Sequence, residues 1–143
     1  MKIVTFNVNG IRAADRRGFR AWLDQTDPDI VALQEVRAMP EVVPAAAVDG
    51  WHFAYDPGQL AGRNGVALLS KVEPTEVRAG LVDDDEFAHE GRYIEADFAL
   101  ADRLLTVASL YLPKGAVASD GEAEAAKYQR KLRFCQKLSG QIV

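Results

Sequence analysis

Two apolar segments near the start of the sequence end in polar residues. Asn7 and Asn9 close the segment that begins at Lys2, and Glu35 closes the one that begins at Asp29. A helical pattern lies between them, so we expect two parallel strands joined by a right-handed crossover. Parallel neighbours end at the same sheet edge, which would place Asn7 and Glu35 on strands about 5 Å apart. A carboxylate and an amide at such an edge could bind a metal ion.

Each of these residues also has an interpretation without chemistry. Asn9 and Gly10 form a dipeptide that is typical of turns, because both residue types tolerate positive φ. Glu35 is compatible with a surface acid paired with Arg37, whereas a carboxylate at the rim of a buried sheet needs a cation to replace its hydration. If that cation is a metal, Mg²⁺ suits the site, because it binds few carboxylates and keeps water and phosphate as ligands. Both interpretations stay open on the residues alone.

Other residue types that often carry chemistry give weaker signals. Tyr111 ends a further apolar segment, and it is compatible with a site or with packing at the rim of the core. His52 and His89 lack the carboxylate–histidine arrangement of a general base, so we expect both to be structural or exposed. The sequence contains no Gly-rich phosphate loop, no serine–histidine–aspartate spacing and no zinc-ligand pattern.

The apolar periodicity predicts an α/β chain. Strands are predicted at residues 2–7, 29–34, 51–55, 65–71, 75–78, 92–100 and 104–112, and helices at residues 16–25 and 122–138. Residues 29–34 are apolar almost throughout, as in a strand covered on both faces. After the second helix we expect a new strand to begin at Gly140.

Composition limits the class of protein. A length of 143 residues with 48% hydrophobic content suits one globular domain, so we expect residues 1–143 to lie within one domain without an internal boundary. The single cysteine, Cys135, argues against disulfides and Cys-rich zinc sites and favours a cytoplasmic location. No segment approaches the roughly 18 apolar residues of a membrane span, so no membrane partner is expected.

Charge is unevenly distributed along the sequence. The net charge of -4 does not favour a general nucleic-acid binder, which usually carries a basic excess, although a local basic face is compatible with it. Acidic residues are concentrated at residues 83–86, which we expect to form a solvated loop. Basic residues are concentrated between Lys127 and Lys137, which we expect to form a solvated helix face.

Five sequence blocks occur together in an order that resembles exonuclease III-type AP endonucleases. The blocks are residues 6–12 (FNVNGIR), 29–35 (DIVALQE), 65–71 (GVALLSK), 90–92 (EGR) and 111–115 (YLPKG). Each block is weak alone, but their joint order and spacing over nearly the whole chain are specific. The resemblance implies the endonuclease/exonuclease/phosphatase fold, a two-layer β-sandwich flanked by helices, of which this chain would hold the N-terminal half.

The resemblance also implies divalent-metal-dependent hydrolysis of phosphodiesters in duplex DNA, at abasic sites and from 3′ ends. Glu35 resembles the metal-binding carboxylate, with Mg²⁺ or Mn²⁺ as the ion, and Asn7 resembles the neighbour that orients the metal site. Tyr111 resembles the phenol directed at the scissile phosphate. The residues that resemble positions at or against the DNA substrate are Asn9, Arg12, Arg63, Asn64 and Lys114.

The sequence departs from the family pattern at two later motifs. The family has an Asp-x-Asn segment, which positions and activates the nucleophile, and a C-terminal Asp-His pair. The asparagines here are only Asn7, Asn9 and Asn64, and neither histidine follows an aspartate. We therefore expect the second sheet of the sandwich to be missing, so that an exposed sheet face or free edge favours self-association.

The sequence leaves three hypotheses about function open. The chain could be part of a DNA-repair nuclease that is active when complete. It could be a non-catalytic or split module that binds DNA or a complementing C-terminal half. It could also keep the fold and act on an inositol phosphate or a sphingolipid, because a shared fold does not fix function. Arg12 and residues 111–115 favour DNA over the third hypothesis.

Overall fold

Residues 1–142 are described by a computed structural model, except for the side chain of residue 118, and within this range the chain forms seven strands and four α-helices. The strands are β1 (Ile3–Asn7), β2 (Ile30–Gln34), β3 (His52–Asp56), β4 (Val66–Ser70), β5 (Glu76–Ala79), β6 (Tyr93–Ala99) and β7 (Leu104–Leu110). The helices are α1 (Ile11–Arg16), α2 (Phe19–Thr26), α3 (Ala45–Val48) and α4 (Glu122–Ile142), with short 3₁₀ turns at Pro40–Val42 and Ala118–Asp120.

The strands form two sheets that pack face to face. The first sheet has the order β1-β2-β4-β3 and the second has the order β5-β6-β7. β1 and β2 are parallel, as predicted, and the other neighbours are antiparallel. The core between the sheets consists of Ile30, Ala32, Val66, Leu68, Ile94, Ala96, Phe98 and Val107. This chain thus contains both layers of a sandwich, and the expectation that the second sheet is missing is wrong.

The central strand β2 is covered on both faces, as its apolar sequence predicted. Ile30 and Ala32 pack in the core between the sheets. Val31 and Leu33 pack on the other face, in a second core shared with residues of the helices. The alternation follows from the period of two residues in a strand. Because β2 is anchored on both faces, it fixes the position of the residue that follows it.

The helix predicted at residues 16–25 corresponds to α2, which begins later, at Phe19, and α1 was not predicted. Gly18 lies between them with φ 97°, a conformation that favours glycine. α2 packs its aromatic face against β1, with the rings of Phe6 and Trp22 separated by 4.6 Å between centroids. The break at Gly18 therefore separates a short helix next to the end of β1 from the helix that covers the sheet.

α4 is longer than the sequence predicted. The strand expected from Gly140 is wrong for residues 140–142, which continue the helix, and Val143 lies outside the described residues. Gln141 stabilises this last turn, because its Oε1 accepts a hydrogen bond from the backbone of Val82 at 2.9 Å. Within residues 1–142, no helix combines the length and apolar character needed to cross a membrane.

The acidic residues before β6 and the basic face of α4 pair with each other. Arg133 contacts Glu86 at 2.8 Å, and Lys137 contacts Asp84 at 2.9 Å. Below these pairs, Phe134 is fully buried and packs edge-on against Phe87, with 5.1 Å between ring centroids. Most residues of both segments are solvent-exposed, as expected, but charges distant in sequence also pair here, and Asp84 is buried. Much of the basic run is therefore neutralised.

One side of the sandwich is open between β1 and β7. Each is the last strand of its sheet among the described residues. Ile3 in β1 is 47% exposed and Leu104 in β7 is 61% exposed. The groove between the two strands has a volume of about 380 Å³ and is lined by Ile3, Val4, Thr5, Ala32, Gln34, Val107, Ala108 and Leu110. Two strand edges with free backbone groups thus flank an opening into the sandwich.

Two loops meet at a pair of glycines close to the start of β6. A Cβ on Gly58 would lie 2.7 Å from the carbonyl carbon of Glu90, and one on Gly91 would lie 2.8 Å from the backbone nitrogen of Gly58. Both glycines have positive φ, at 67° and 63°. Asn64 adds a hydrogen bond from its Nδ2 to the carbonyl oxygen of Glu90 at 2.9 Å. The backbone before Arg92 is therefore held in one place.

Candidate active site

Asn7 and Glu35 contact each other where β1 and β2 end. Asn7 pairs in register with Gln34, the last residue of β2, so Glu35 lies one residue beyond the ladder. The Nδ2 of Asn7 donates a hydrogen bond to Oε1 of Glu35 at 2.8 Å. The proximity predicted from two parallel strands is thus confirmed.

The backbone after both strands turns through the left-handed region. Asn9, Glu35 and Arg37 have φ values of 47°, 51° and 54°. The turns are tied together, since Gly10 donates its backbone N–H to the carbonyl oxygen of Glu35 at 2.7 Å. The backbone N–H of Asn9 also donates to Oδ1 of Asn7 at 3.0 Å. Positive φ at non-glycine residues is uncommon and is concentrated at functional sites.

Three side chains stabilise the negative charge of Glu35. The hydrogen bond from Asn7 is the main reason that the pKa of Glu35 lies below its usual range; burial opposes it, and Tyr111 and Arg37 add to the lowering. Arg37 donates from Nη2 to Oε2 of Glu35. The Glu35 side chain is only 13% exposed. Glu35 is therefore ionised at neutral pH although little of its side chain reaches solvent.

Tyr111 directly follows β7, and its phenol lies close enough to Glu35 for each group to shift the pKa of the other. Its backbone N–H donates to the carbonyl oxygen of Arg92 at 2.8 Å. Burial raises the pKa of the Tyr111 phenol, and the carboxylate of Glu35 raises it further. The phenol therefore keeps its proton at neutral pH and can donate a hydrogen bond. Asn7, Glu35 and Tyr111 form one cluster, although they come from distant parts of the sequence.

An arginine-lined cavity lies beside the cluster. It has a volume of about 400 Å³ and is lined by Gly10, Ile11, Arg12, Ala13, Arg16, Arg37 and Gly62. Three guanidinium groups around one open cavity are suited to binding phosphate. Arg12 was predicted from the sequence, whereas Arg16 was not. The spacing of four residues between them could have revealed Arg16, had a helix been predicted after Gly10.

The remaining predicted site residues lie outside the cluster of Asn7, Glu35 and Tyr111. Asn9 lines a separate cavity of about 370 Å³, whose walls include Phe6, Phe19 and Trp22. Arg63 and Lys114 are exposed on the loops that follow Gly62 and Tyr111. Asn64 is half-buried and uses its amide to hold the carbonyl oxygen of Glu90.

The donor set fits one divalent metal ion bound through Glu35. A single carboxylate completed by water and phosphate is a ligand set that Mg²⁺ accepts. The Oδ1 of Asn7 already accepts the N–H of Asn9, so Asn7 could ligate an ion only by sharing that oxygen. Among residues 1–142, no three His, Cys, Asp or Glu side chains are grouped closely enough to enclose an ion. Glu35 is thus the principal protein ligand that this chain offers at the site.

Comparison with known proteins identifies the family. Residues 4–137 match the Endonuclease/Exonuclease/phosphatase family. Exodeoxyribonuclease III of Haemophilus influenzae is 36% identical over 140 residues, which cover 96% of this chain and 49% of that protein. These values concern nearly all of this chain but only about half of the relative.

Solved structures agree with the sequence match. An AP endonuclease from Archaeoglobus fulgidus has a TM-score of 0.79 and 34% identity, covering 99% of this chain and 51% of that chain. The 3′ phosphatase NExo from Neisseria, bound to product DNA hairpin, has a TM-score of 0.77 and 28% identity, with the same coverage of both chains. The chain spans about half the length of these relatives. It belongs to the endonuclease/exonuclease/phosphatase family.

Proposed function

We propose that this chain carries the metal- and phosphate-binding part of a DNA-repair phosphodiesterase of the exodeoxyribonuclease III and AP endonuclease class. The observation that carries the proposal is the cluster of Asn7, Glu35 and Tyr111 beside the arginine-lined cavity. It combines an ionised carboxylate, a neutral phenol and guanidinium groups, which suit a phosphodiester. The substrate is duplex DNA with abasic sites or 3′ ends, in keeping with the names of the relatives.

Each residue of the cluster has a separate role in this proposal. Glu35 binds Mg²⁺ or Mn²⁺, and Asn7 keeps its carboxylate ionised and oriented and can share its own oxygen as a further ligand. When bound, the ion supplies polarisation of a phosphoryl oxygen and neutralises charge that develops there. The phenol of Tyr111 donates a hydrogen bond to the scissile phosphate. Arg12, with Arg16, binds a phosphate of the DNA backbone and fixes its position without distinguishing sequence.

The loops around the cluster supply further contacts in this proposal. Asn9, Arg63, Asn64 and Lys114 lie on segments that border the cluster or its neighbouring cavities, and we assign them to substrate binding. An abasic nucleotide is the least costly to extrude from the duplex, because its pairing is already lost. The cytoplasmic location expected from the single cysteine stays a prediction.

Hydrolysis needs groups that this sequence does not contain, so we also propose a complementing C-terminal half. The support is that the chain covers 49% of the Haemophilus influenzae relative and has no Asp-x-Asn segment. Residues 1–143 would then be one part of a single domain. A strand added to the free edge of β1 would extend the first sheet next to Asn7. Such a strand could bring the nucleophile-positioning groups to Glu35.

A split DNA-binding half-domain without catalytic activity is the second candidate. The absence of both the Asp-x-Asn and the Asp-His motifs from the sequence favours it. A general base is needed to activate water, and neither histidine lies in the cluster of Asn7, Glu35 and Tyr111. In this case Glu35 and the arginine-lined cavity would serve binding alone.

The decisive experiment measures cleavage of an end-labelled duplex that contains one abasic site, with Mg²⁺. The chain is assayed alone and with the remaining half of the Haemophilus influenzae relative, expressed separately. We expect DNA binding in both cases and cleavage only when the second half is present. Glu35→Ala should abolish cleavage, whereas Glu41→Ala, a matched change at an exposed glutamate, should not.

Other outcomes distinguish the candidates. Cleavage that survives Glu35→Ala would contradict the site assignment. Binding without cleavage in every combination would favour the split DNA-binding half-domain. Hydrolysis of an inositol phosphate or a sphingolipid, without action on DNA, would replace the proposed substrate class.

A further inference from the structure

Arg92 makes three contacts to Tyr111. It belongs to the motif at residues 90–92, which has no role in the function proposed above. Its guanidinium carbon lies 5.5 Å from the centre of the Tyr111 ring, within the range of a cation–π interaction. Its Nη1 donates to the carbonyl oxygen of Tyr111 at 3.3 Å. Its own carbonyl oxygen accepts the N–H of Tyr111 at 2.8 Å. Arg92 thus holds both the ring and the backbone of the residue that faces Glu35.

The guanidinium of Arg92 is itself held by Glu90. Its Nε donates to Oε2 of Glu90 at 2.5 Å, and the two side chains are only 12% and 21% exposed. The other oxygen of Glu90 accepts a hydrogen bond from Nη2 of Arg130 on α4. One partly buried carboxylate therefore joins two arginines, and a charge-assisted pair of this kind restricts the orientation of both.

The backbone of residues 90–92 cannot shift freely. The contact between Gly58 and Gly91 leaves no room for displacement towards the neighbouring loop. The bond from Asn64 to the carbonyl oxygen of Glu90 adds a second restraint. Arg130 is fixed in turn, because its guanidinium lies 4.6 Å from the centre of the Phe87 ring. The line of contacts from α4 to Tyr111 is therefore continuous.

We propose that Arg92 is a positioning residue that holds the Tyr111 phenol against Glu35, and that Glu90 and Arg130 orient Arg92 for this task. The inference rests on the proposed function only in that it gives Tyr111 a substrate to contact. Arg92 acts through Tyr111 and does not itself need to touch the phosphate. Small displacements of a reacting group reduce reaction rates strongly, so a rigid support for the phenol helps to keep the rate high.

Nuclear magnetic resonance of the 143-residue chain with carbon-13-labelled tyrosine rings tests the proposal without metal or DNA. The chain has four tyrosines, and Tyr111→Phe identifies the signal of Tyr111 by its loss. We expect Arg130→Gln to move this signal by more than its linewidth. Arg133→Gln is the matched control, because it lies on the same helix but pairs with Glu86 rather than Glu90. Arg130→Lys should restore the signal in part.

Two results would overturn the proposal. One is an unmoved Tyr111 signal in Arg130→Gln and in Arg92→Lys, with the Tyr55 and Tyr93 signals confirming the fold. The other is an equal shift in Arg133→Gln, which would indicate a general loosening of α4. Cleavage that depends on Tyr111, with no shift in either Arg130→Gln or Arg92→Lys, would refute only the positioning by Arg92. A shift in Arg130→Gln with full cleavage by Tyr111→Phe would refute only the catalytic role of Tyr111.

Discussion

The charge of Glu35 depends on neighbouring donors more than on solvent. The Glu35 side chain is 13% exposed, and burial alone would raise its pKa. The hydrogen bond from Asn7 outweighs that effect, with smaller contributions from Tyr111 and Arg37. At this scale the site is thus a group of donors that keep one buried acid ionised.

Removal of the Asn7 amide is expected to raise the pKa of Glu35. A lowered pKa in the folded state means that ionised Glu35 stabilises the fold above the ordinary pKa of glutamate. This stabilisation is lost as the pH falls through the lowered value. In Asn7→Ala the folded-state pKa lies closer to the unfolded-state value, so this stabilisation should be smaller and its loss should be complete at a higher pH than in the wild type. Titration of the Glu35 carboxyl by nuclear magnetic resonance measures the shift, and urea unfolding between neutral and acidic pH measures its effect on stability.

The control for this prediction is Glu35→Gln. It removes the titrating group, so a further Asn7→Ala change in that background should leave the pH dependence of unfolding unaltered. If the Glu35 titration is the same in wild type and Asn7→Ala, the hydrogen bond is not the cause of the lowered pKa.

The Tyr111 phenol is expected to act on the transition state more than on binding. In the assay with the complementing half, Tyr111→Phe should lower kcat about 100-fold, as is typical for loss of one donor to a developing charge, with little change in KM. Tyr128→Phe is the matched control, since Tyr128 is 40% exposed on α4. Equal activity of Tyr111→Phe and wild type would contradict the assigned role.

At the scale of elements, local periodicity predicted the strands but not their long-range partners. The positions of Asn7 and Glu35 followed from two strand ends and the handedness of one crossover, which are local and general properties. Helix α1 was missed, and α2 was predicted to begin before Gly18, because a single glycine does not by itself indicate where a helix starts. The pairing of Glu86 with Arg133 was missed, because no sequence pattern links charges on a loop to a helix that follows so much later.

The attachment of α4 should depend on its buried aromatic residue. Phe134 is 0% exposed and packs against Phe87 beneath the ion pairs. Phe134→Ala should therefore destabilise the chain by about 3–5 kcal/mol, through lost burial and the cavity that remains. Tyr128→Ala, on the exposed face of the same helix, should change stability by less than about 0.5 kcal/mol. Urea unfolding followed by circular dichroism compares the two, and similar losses would contradict this packing.

At the scale of the whole molecule, the sandwich is complete in its layers and open at one side. The sequence predicted the gap in the wrong position, at a missing sheet. The actual opening lies between the edges of β1 and β7, which belong to different layers. Sequence patterns report which residues form strands, whereas the membership of a strand in one sheet or another depends on contacts between distant segments.

Without a second half, the chain is expected to self-associate through these edges. Unpaired strand edges with exposed apolar side chains favour pairing with another chain. Sedimentation equilibrium should show an average mass that rises with concentration. The double change Ile3→Lys and Ala108→Lys should suppress the rise, whereas Val82→Lys, at a residue that is 70% exposed elsewhere, should not. A wild-type chain that stays monomeric at every concentration would contradict the prediction.

The contact between Gly58 and Gly91 also limits how this protein can evolve. Neither position has room for a methyl group, and both backbones are in the left-handed region. A substitution at one glycine cannot be compensated by a smaller residue at the other, because none exists. A saturation library at the two positions should therefore return glycine at both, with no covarying pairs. The two loops can change in length and sequence around this contact, but we expect no neutral substitution at Gly58 or Gly91.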